Sequence, residues 1–167
     1  MTTLFNYIPS EVNVLLAGIM PVEGFIDGTF VTVDKDVMPY RSRSTADGRV
    51  SRIYSNSQTY TVTLTIHIGS SANTFLTKMW QLDEIAQRGK FPLLIKDGSG
   101  SDLFFSLTSW IEVLPSMGKS NTTDTRTWRI KCSSAVINFG SNNGESDLIE
   151  DLINIASSAL PAIEGII

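Results

Sequence analysis

Few side chains in this chain have types and spacing suited to catalysis. His67 is the only histidine and Cys132 the only cysteine among 167 residues. His67 falls on the polar side of an alternating segment, and the sequence nominates no nucleophile or orienting acid for it, so we interpret it as a solvent-facing strand residue. Cys132 alternates with Trp128 and Ile130 on an apolar side, a pattern typical of a buried and inert thiol.

The sequence also gives no support for a metal site or for a pair of carboxylates acting as general acid and base. One histidine and one cysteine cannot form a disulfide framework or a Cys/His zinc cluster. The acidic stretch at residues 97–102 lacks the terminal glutamate of a calcium loop, and a hairpin turn explains it better. The carboxylate pairs Asp34/Asp36 and Asp83/Glu84 have no catalytic context. The sequence therefore predicts no enzyme, no catalytic or metal site and no cofactor.

Charge is distributed unevenly along the chain. All 13 basic side chains and 12 of the 17 acidic ones fall within residues 1–140, whereas residues 141–167 carry five acidic side chains and no basic one. The nearly neutral body is unlike the basic surface of a nucleic-acid reader. The N-terminus lacks the basic region of a signal peptide, and the apolar run at 14–20 is too short to cross a bilayer. We therefore expect a cytoplasmic product without a membrane anchor.

The elements that must position these residues are mainly strands. From residue 59 to 68, polar and apolar side chains alternate strictly, which is typical of a half-buried antiparallel strand. Its polar side consists of Thr59, Thr61, Thr63, Thr65 and His67. Similar patterns predict strands at 11–16, 24–33, 91–96, 103–113 and 124–139, with a bulge or close backbone approach at Gly28 and a hairpin turn at 97–100. Helical spacing of apolar residues predicts a core-facing helix at 72–87.

A long segment between two of these strands has no apolar periodicity. We interpret residues 34–57 as a long loop, and loops of this length are usually functional or disordered. The segment contains Tyr40, Arg41, Arg43, Arg49, Arg52 and Tyr54. Because arginine and tyrosine are enriched at interfaces, these residues favour a contact arm between subunits; a mobile surface loop is the alternative.

The C-terminal 27 residues differ from the rest of the chain. A linker rich in Gly, Ser and Asn at 140–144 precedes an acidic amphipathic helix predicted from residue 146 to 160. Its apolar side includes Leu148, Ile149, Leu152, Ile153 and Leu160. A single short helix is unstable alone, so it must pack on its own domain, a neighbouring subunit or a partner protein. The chain thus divides into a β domain at 1–140 and a linker with helix at 141–167.

Several segments, taken in order, carry a resemblance to a known family. They are Tyr7-Ile-Pro-Ser-Glu-Val-Asn-Val, Gly24-Phe-Ile-Asp-Gly-Thr-Phe-Val-Thr-Val, Asp47-Gly-Arg-Val-Ser-Arg with Ser55-Asn56, Thr61-Val-Thr-Leu-Thr, Leu93-Leu-Ile-Lys-Asp and Thr127-Trp-Arg-Ile-Lys-Cys. Together the series resembles the tail tube proteins of contractile-tailed bacteriophages. The resemblance covers residues 5–140, and no single motif in it is diagnostic.

The resemblance implies a mainly β fold, an antiparallel β-sandwich or barrel with one flanking helix. It implies hexameric rings in which the sheets of neighbouring subunits join edge to edge. Such rings stack into the inner tube of a contractile tail, with sheath and baseplate proteins as partners. DNA passes through the lumen during ejection without specific binding. The location implied is the virion tail, assembled in the cytoplasm of a bacterial host, and the long loop at 36–56 would reach the adjacent ring.

A conduit for DNA should not bind phosphate, because each neutralised phosphate would slow passage. On that reasoning we predict that Thr59, Thr61, Thr63 and Thr65 face the lumen, together with Asp34 or Asp27. The alternative is that these threonines face the sheath and that other strands line the lumen. Residues 146–160 extend beyond the family pattern, and we predict that their apolar side chains pack on the outer surface of the tube. The extension could decorate an ordinary tube subunit, or it could mark a specialised ring at the end of the tube or at the baseplate.

Two further functions come from other classes of protein. A tube subunit of a bacterial contractile secretion system would share the same architecture. A monomeric β-sandwich that binds a small ligand would need exposed aromatic residues clustered at one end of the sheets. Trp80, Trp110 and Trp128 each lie in an apolar pattern, which favours core positions and argues against such a binding module.

Overall fold

A computed structural model describes residues 7–122 and 124–140. Within those residues, a single 3₁₀ turn at Pro9–Glu11 leads into a mainly antiparallel β structure with one α-helix. The strands are β1 (Val12–Leu16), β2 (Met20–Pro21), β3 (Val31–Lys35), β4 (Tyr40–Ser44), β5 (Val50–Tyr54), β6 (Tyr60–His67), β7 (Phe91–Asp97), β8 (Leu103–Val113), β9 (Thr125–Cys132) and β10 (Val136–Asn138), and helix α1 is Ala72–Ala86. The mainly β fold class with one helix is therefore confirmed.

Eight strands belong to one sheet, in the order β2-β1-β7-β8-β9-β6-β3, with β10 added beside the first part of β8. Strands β4 and β5 form a separate two-stranded sheet. Inner-face side chains from both halves of the large sheet meet in a single core that includes Leu16, Leu64, Leu93, Phe104 and Ile130. The sheet therefore curves over itself and encloses one hydrophobic centre.

The strand predicted most clearly from its alternation is the centre of this arrangement. In β6, Tyr60, Val62, Leu64 and Ile66 are buried, whereas the threonines between them are partly exposed. Each of its eight residues pairs with β9, from Tyr60 opposite Cys132 to His67 opposite Thr125. Because a slip of one residue would turn the apolar side to solvent, burial fixes this register.

The predicted strand at 124–139 is interrupted, but its pairing register is not. Cys132 pairs with Ser109 before the interruption, and Val136 pairs with Phe105 after it, so both parts follow the same alignment along β8. Between them the Ser106 hydroxyl donates a hydrogen bond to the Ser134 carbonyl at 2.7 Å. A serine side chain thus substitutes for part of the backbone ladder at the kink between β9 and β10.

Helix α1 confirms the predicted helix and is anchored by one polar side chain. The buried Asn73 amide donates to the carbonyls of His67, Ile68 and Ser70 at 3.0–3.3 Å. Its Oδ1 accepts a 2.9 Å hydrogen bond from Nε1 of the buried Trp128. Every polar atom of this side chain is therefore used, and the start of α1 is held to β6 and β9. The helix ends at Gln87, which adopts a left-handed φ of 56°.

Two predictions upstream of β6 were wrong in detail. The segment predicted as one strand at 24–33 contributes only an isolated bridge at Phe25 and strand β3 from Val31, because the chain bends at Gly28, whose φ is +93°. The segment predicted as a loop at 34–57 contains the regular β4–β5 hairpin. The hairpin lacked an apolar alternation in the sequence because neither of its sides is buried.

The predicted helix at 146–160, with Leu148, Ile149, Leu152, Ile153 and Leu160, lies outside the described residues.

Candidate functional site

The threonines of β6 lie on a continuous outer face of the sheet, which we call the Thr face. It comprises Thr61, Thr63 and Thr65 on β6, Thr32 and Asp34 on β3, and Thr127, Arg129 and Lys131 on β9. Side chains paired directly across an antiparallel ladder point to the same side, so these residues share one surface. Thr59 precedes β6, and its hydroxyl lies 3.1 Å from that of Ser57.

The Thr face is not uncharged, contrary to what the β6 pattern alone suggested. Thr61 lies between Asp34 and Lys131, and Thr63 lies between Thr32 and Arg129. The basic residues come from β9, which is 60 or more positions further along the chain, so the pattern of β6 could not reveal them.

An ion pair with hydrogen bonds is centred on this face, and the sequence did not predict it. Asp36 accepts a 2.7 Å contact from Lys131 Nζ and a 2.5 Å hydrogen bond from the Thr61 hydroxyl. The two charged side chains are only 20% and 24% exposed. Partial burial acts to raise the pKa of Asp36, but hydrogen bonds from Lys131, Thr59 and Thr61 outweigh it and lower the pKa to about 2. Asp36 is therefore ionised at any physiological pH and neutralises Lys131.

Strand β8 extends the Thr face beyond β9. Trp110 pairs with Lys131, and its Nε1 donates a 3.1 Å hydrogen bond to Glu112. Trp110 is thus a partly exposed residue of the outer face, which corrects its predicted core position, whereas Trp128 is buried as predicted. With Asp34, Asp36 and Glu112 against Arg129 and Lys131, the described part of this face carries three acidic and two basic side chains.

The second candidate surface is the β4–β5 hairpin with its turn, residues 40–54, which we call the hairpin arm. Every residue of both strands is exposed. The arm contains all six side chains predicted for a contact arm: Tyr40, Arg41, Arg43, Arg49, Arg52 and Tyr54. An isolated two-stranded hairpin is at best marginally stable in water, so a partner surface would add to its order.

One side of the hairpin arm is preorganised by aromatic contacts. The rings of Tyr40 and Tyr54 lie with centroids 5.4 Å apart, and the Arg52 guanidinium lies 3.9 Å from the Tyr40 ring centre. The register places Arg41 opposite Ile53 and Arg43 opposite Ser51 on the other side. The structure thus divides the predicted residues into a Tyr–Arg side and an arginine side.

Polar side chains stabilise the turn of the hairpin arm. The Asp47 side chain accepts a hydrogen bond from Thr45 and contacts Arg49 at 3.4 Å. The Thr45 hydrogen bond lowers the pKa of Asp47. Gly48 has a φ of +81°, a conformation that L-residues rarely adopt. Arg49 therefore belongs to the tip of the arm and not to either strand.

The residues considered for chemistry are not assembled into a catalytic site. His67 ends β6, where its Nδ1 accepts a 3.0 Å hydrogen bond from the Gly69 amide. Cys132 is fully buried as predicted, and burial raises the pKa of its thiol. The 97–102 stretch forms the predicted hairpin turn, with Asp97 Oδ1 accepting from the Ser99 amide at 2.9 Å. In residues 7–122 and 124–140, no three His, Cys, Asp or Glu side chains are grouped to hold a metal ion.

Helix α1 is the described chain's single α-helix, and it is neither long nor apolar enough to span a membrane.

No protein-family model matches the sequence. The chain is 29% identical over 164 residues to structural protein ORF10 of Pseudomonas phage KPP10, covering 94% of this chain and 95% of that protein. Because the match covers 94% of this chain, it includes part of the C-terminal segment as well as the β domain. It makes the chain a relative of a phage structural protein.

Solved structures share the fold at lower identity. The cap that terminates the tube of the anti-feeding prophage matches with a TM-score of 0.55 and 15% identity, over 83% of this chain and 94% of that one. The sheath/tube terminator of the extracellular contractile injection system PVC matches with a TM-score of 0.58 and 13% identity, over 83% and 100%. A chain of the PVC sheath–tube complex matches with a TM-score of 0.51 and 14% identity, over 80% and 91%.

The fold is therefore one that components of contractile injection systems also adopt, and the relative in sequence is a structural protein. Both findings agree with a structural and non-enzymatic protein, as the sequence predicted. The resemblance found in the sequence is confirmed at this coarser level, as a likeness to structural proteins of phage and contractile tails.

Proposed function

We propose that this chain is the subunit of a homohexameric ring in the tail tube of a contractile bacteriophage, through which DNA passes during ejection. The observation that carries the proposal is that, among the described strands, the large sheet is open and ends at β3, which is followed by the exposed hairpin arm. A free strand edge templates association, and joining the edges of neighbouring subunits into a closed ring removes it. The relationship to a phage structural protein supports the same assignment.

The hydrogen-bond pattern of β3 identifies the groups that would join two subunits. The Thr65 amide donates to the Phe30 carbonyl, and the Asp36 amide donates to the Thr59 carbonyl, so even-numbered residues of this strand bond to β6. In an antiparallel ladder the alternate residues point their amides the other way. Val31 and Val33 thus direct backbone N–H and C=O groups to the outer edge, where a strand of the next subunit would pair.

The Thr face would line the lumen in this proposal, with Thr59, Thr61, Thr63, Thr65 and Asp34 as the wall residues. Asp36 neutralises Lys131, and the described part of the face has one more acidic than basic side chain, so it would not retain phosphate. The hairpin arm would contact the adjacent subunit or ring through Tyr40, Arg41, Arg43, Arg49, Arg52 and Tyr54. Sheath and baseplate proteins would contact the outer surface, in a virion tail assembled in the host cytoplasm.

A ring that terminates the tube is the second candidate. Two of the solved structures with this fold are tube-terminating proteins, and this chain spans 94% and 100% of their lengths. Residues 141–167, which continue past the β domain, would then contact the structure that ends the tail. A tube subunit of a bacterial contractile secretion system would differ from both in its cargo and not in its fold.

The test is the assembly state of the purified chain, measured by light scattering and negative-stain electron microscopy. We expect particles of about 110 kDa, six subunits of 18.3 kDa, seen as rings or stacked tubes. Isolated rings that never stack would favour the terminating ring over the tube. Particles that remain monomeric up to about 100 μM, a concentration at which specific interfaces associate, would contradict self-assembly.

A paired substitution separates edge pairing from side-chain packing. Val33→Pro removes the outward N–H of β3 at a position where an edge strand tolerates proline, whereas Val33→Ala shortens the same side chain and keeps the N–H. We expect rings from Val33→Ala and folded monomers from Val33→Pro. Rings from both variants would show that β3 does not join the subunits.

A further inference from the structure

A groove of about 390 Å³ opens at one end of the core, and its lining includes no residue of the Thr face or the hairpin arm. Its walls include Val31 and Val33 on β3, Ile95 on β7 and Ile137 on β10, with Phe104 of β8 at its base. These residues belong to the inner side of the sheet, since Val31 pairs with the buried Leu64 and both Ile95 and Ile137 pair with Phe104. The four wall residues are nevertheless only partly buried.

The last described residues before the C-terminal segment, which comprises residues 141–167, lie at the rim of this groove. Phe139 lines the rim and is 79% exposed. The Gly140 amide donates a 2.9 Å hydrogen bond to Asp102, which also lines the groove. A side chain at Gly140 would collide with Ser101, so only glycine allows this close passage of the backbone. The path of the chain is therefore fixed at the point where it enters the segment.

The composition of the C-terminal segment suits an apolar groove next to its start. Leu148, Ile149, Leu152 and Ile153 have the i, i+1, i+4, i+5 spacing that places four aliphatic side chains on one side of a helix. The seven residues before Leu148 can extend across roughly 23 Å at 3.3 Å per residue. That reach covers the mouth of a groove that starts beside Gly140.

We propose that Leu148, Ile149, Leu152 and Ile153 of the same chain dock into this groove and complete the core. A tethered segment acts at an effective concentration in the millimolar range, so at micromolar protein it outcompetes the identical segment of a second copy. This inference does not depend on ring assembly, because the groove and the segment are present in one subunit.

The test uses a cysteine placed in the groove of the full-length chain. Ile137→Cys reports on the groove, and Val136→Cys, on the outer side of the same strand, is its matched control. The native Cys132 has no exposed surface, so a thiol reagent should not label it. Each reporter is combined with Leu148→Ser/Leu152→Ser, which removes apolar side chains, or with Glu150→Ser/Asp151→Ser, which changes the opposite side of the same predicted helix.

We expect Leu148→Ser/Leu152→Ser to speed labelling at position 137 by about tenfold or more, as local protection is lost. The control pair should leave that rate unchanged, and position 136 should react equally in every background. Equal rates at position 137 in all backgrounds would overturn the proposal. Val31→Cys on the opposite wall is labelled in parallel, so that the conclusion stands if Ile137→Cys perturbs folding.

Two further measurements test whether the segment that docks in the groove belongs to the same chain. Labelling at position 137 should not change between about 1 and about 100 μM protein if docking is intramolecular. Protection that grows with concentration would assign the groove to a second copy and overturn this part of the proposal. Faster labelling with Leu4→Ser/Phe5→Ser, and not with the Leu148→Ser/Leu152→Ser pair, would assign the groove to the N-terminal residues and overturn it as well.

Discussion

The β6–β9 pair and the hairpin arm are both regular antiparallel ladders, yet only the first has a buried side. Leu64 in β6 is 1% exposed and pairs with the buried Trp128, whereas Ile53 in β5 is 43% exposed and pairs with Arg41. The hydrophobic effect therefore stabilises the first ladder within one subunit. The hairpin arm gains almost none of that stabilisation, which is the condition expected of a surface that acquires its burial from a partner.

The largest expected difference between the two ladders is the loss of stability when an aliphatic side chain in each is shortened to alanine. Leu64→Ala should lower the free energy of unfolding by about 3 kcal/mol, because it leaves a cavity in the core. Ile53→Ala should change it by less than about 0.5 kcal/mol, because water already contacts that side chain. Urea unfolding in the Val33→Pro background, which is expected to remain monomeric, measures both values. Similar losses in the two variants would mean that the hairpin arm is packed within the subunit.

The next largest loss of stability is expected from a polar side chain of the β domain, Asn73. Asn73→Ala removes the acceptor of the buried Trp128 Nε1 and the donor to three partly buried carbonyls. We expect a loss of about 2 kcal/mol, since buried groups are left without partners. The exposed Asn121→Ala is the control and should have no measurable effect. An indole N–H resonance of Trp128 that does not shift in Asn73→Ala would contradict the assigned hydrogen bond.

The pH dependence of stability should also differ between the two ladders, because a partly buried ion pair joins Asp36 to β9 whereas the carboxylate of the hairpin arm is exposed. Because the pKa of Asp36 is lowered to about 2 in the folded chain, its stabilisation is complete above the unfolded value of 3.8. It is then lost as the pH falls through 2. Asp36→Asn should remove about 1 kcal/mol at pH 7, after allowance for solvent screening, and should flatten the acid limb between about pH 4 and 2.

The control for that measurement lies in the hairpin arm. Asp47 also has a lowered pKa, but it is exposed to solvent at the tip, so Asp47→Asn should change the stability and the acid limb of the curve much less than Asp36→Asn does. An acid limb that persists in Asp36→Asn would show that other carboxylates, and not the ion pair with Lys131, control acid unfolding.

The smallest effect on the monomer should accompany the largest effect on assembly. Arg52→Ala/Tyr54→Ala removes the ordered Tyr–Arg side of the hairpin arm and should change the free energy of unfolding by less than about 0.5 kcal/mol. Ring yield by light scattering should nevertheless fall about tenfold or more, since tyrosine and arginine dominate interface energies. Lys78→Ala on the exposed side of α1 is the control. Undiminished ring yield in the double variant would exclude the Tyr–Arg side of the hairpin arm as an assembly contact.

The sequence predicted those elements that are stabilised by their own burial. The strict alternation at 59–68 predicted the buried side of β6 and its bounds to within one residue at each end, and the helical spacing at 72–87 predicted α1. The hairpin arm was missed because none of its sides is buried, so polar and apolar residues do not alternate there. Trp110 was misplaced because it lies in an apolar run, although its ring lies on the outer face of β8 beside Glu112.

The candidate surfaces divide in the same way. The six side chains of the hairpin arm were identified from residue type alone, but their separation into a Tyr–Arg side and an arginine side required the register of β4 and β5. The composition of the Thr face could not be predicted from β6, because its basic residues are supplied by β9. The ion pair between Asp36 and Lys131 joins positions 95 residues apart, a distance over which local patterns carry no information.

By itself the sequence determined the mainly β class, the central strand, the helix and the lack of a catalytic constellation, since each of these depends on local periodicity or on residue inventory. Only the tertiary structure decided which faces meet. It places Lys131 and Arg129 among the threonines, leaves the outer edge of β3 without a partner among the described strands, and forms a groove beside Gly140. The physical reason is that periodicity encodes which side of an element is buried, whereas neighbours across a sheet are chosen by the folding of the whole chain.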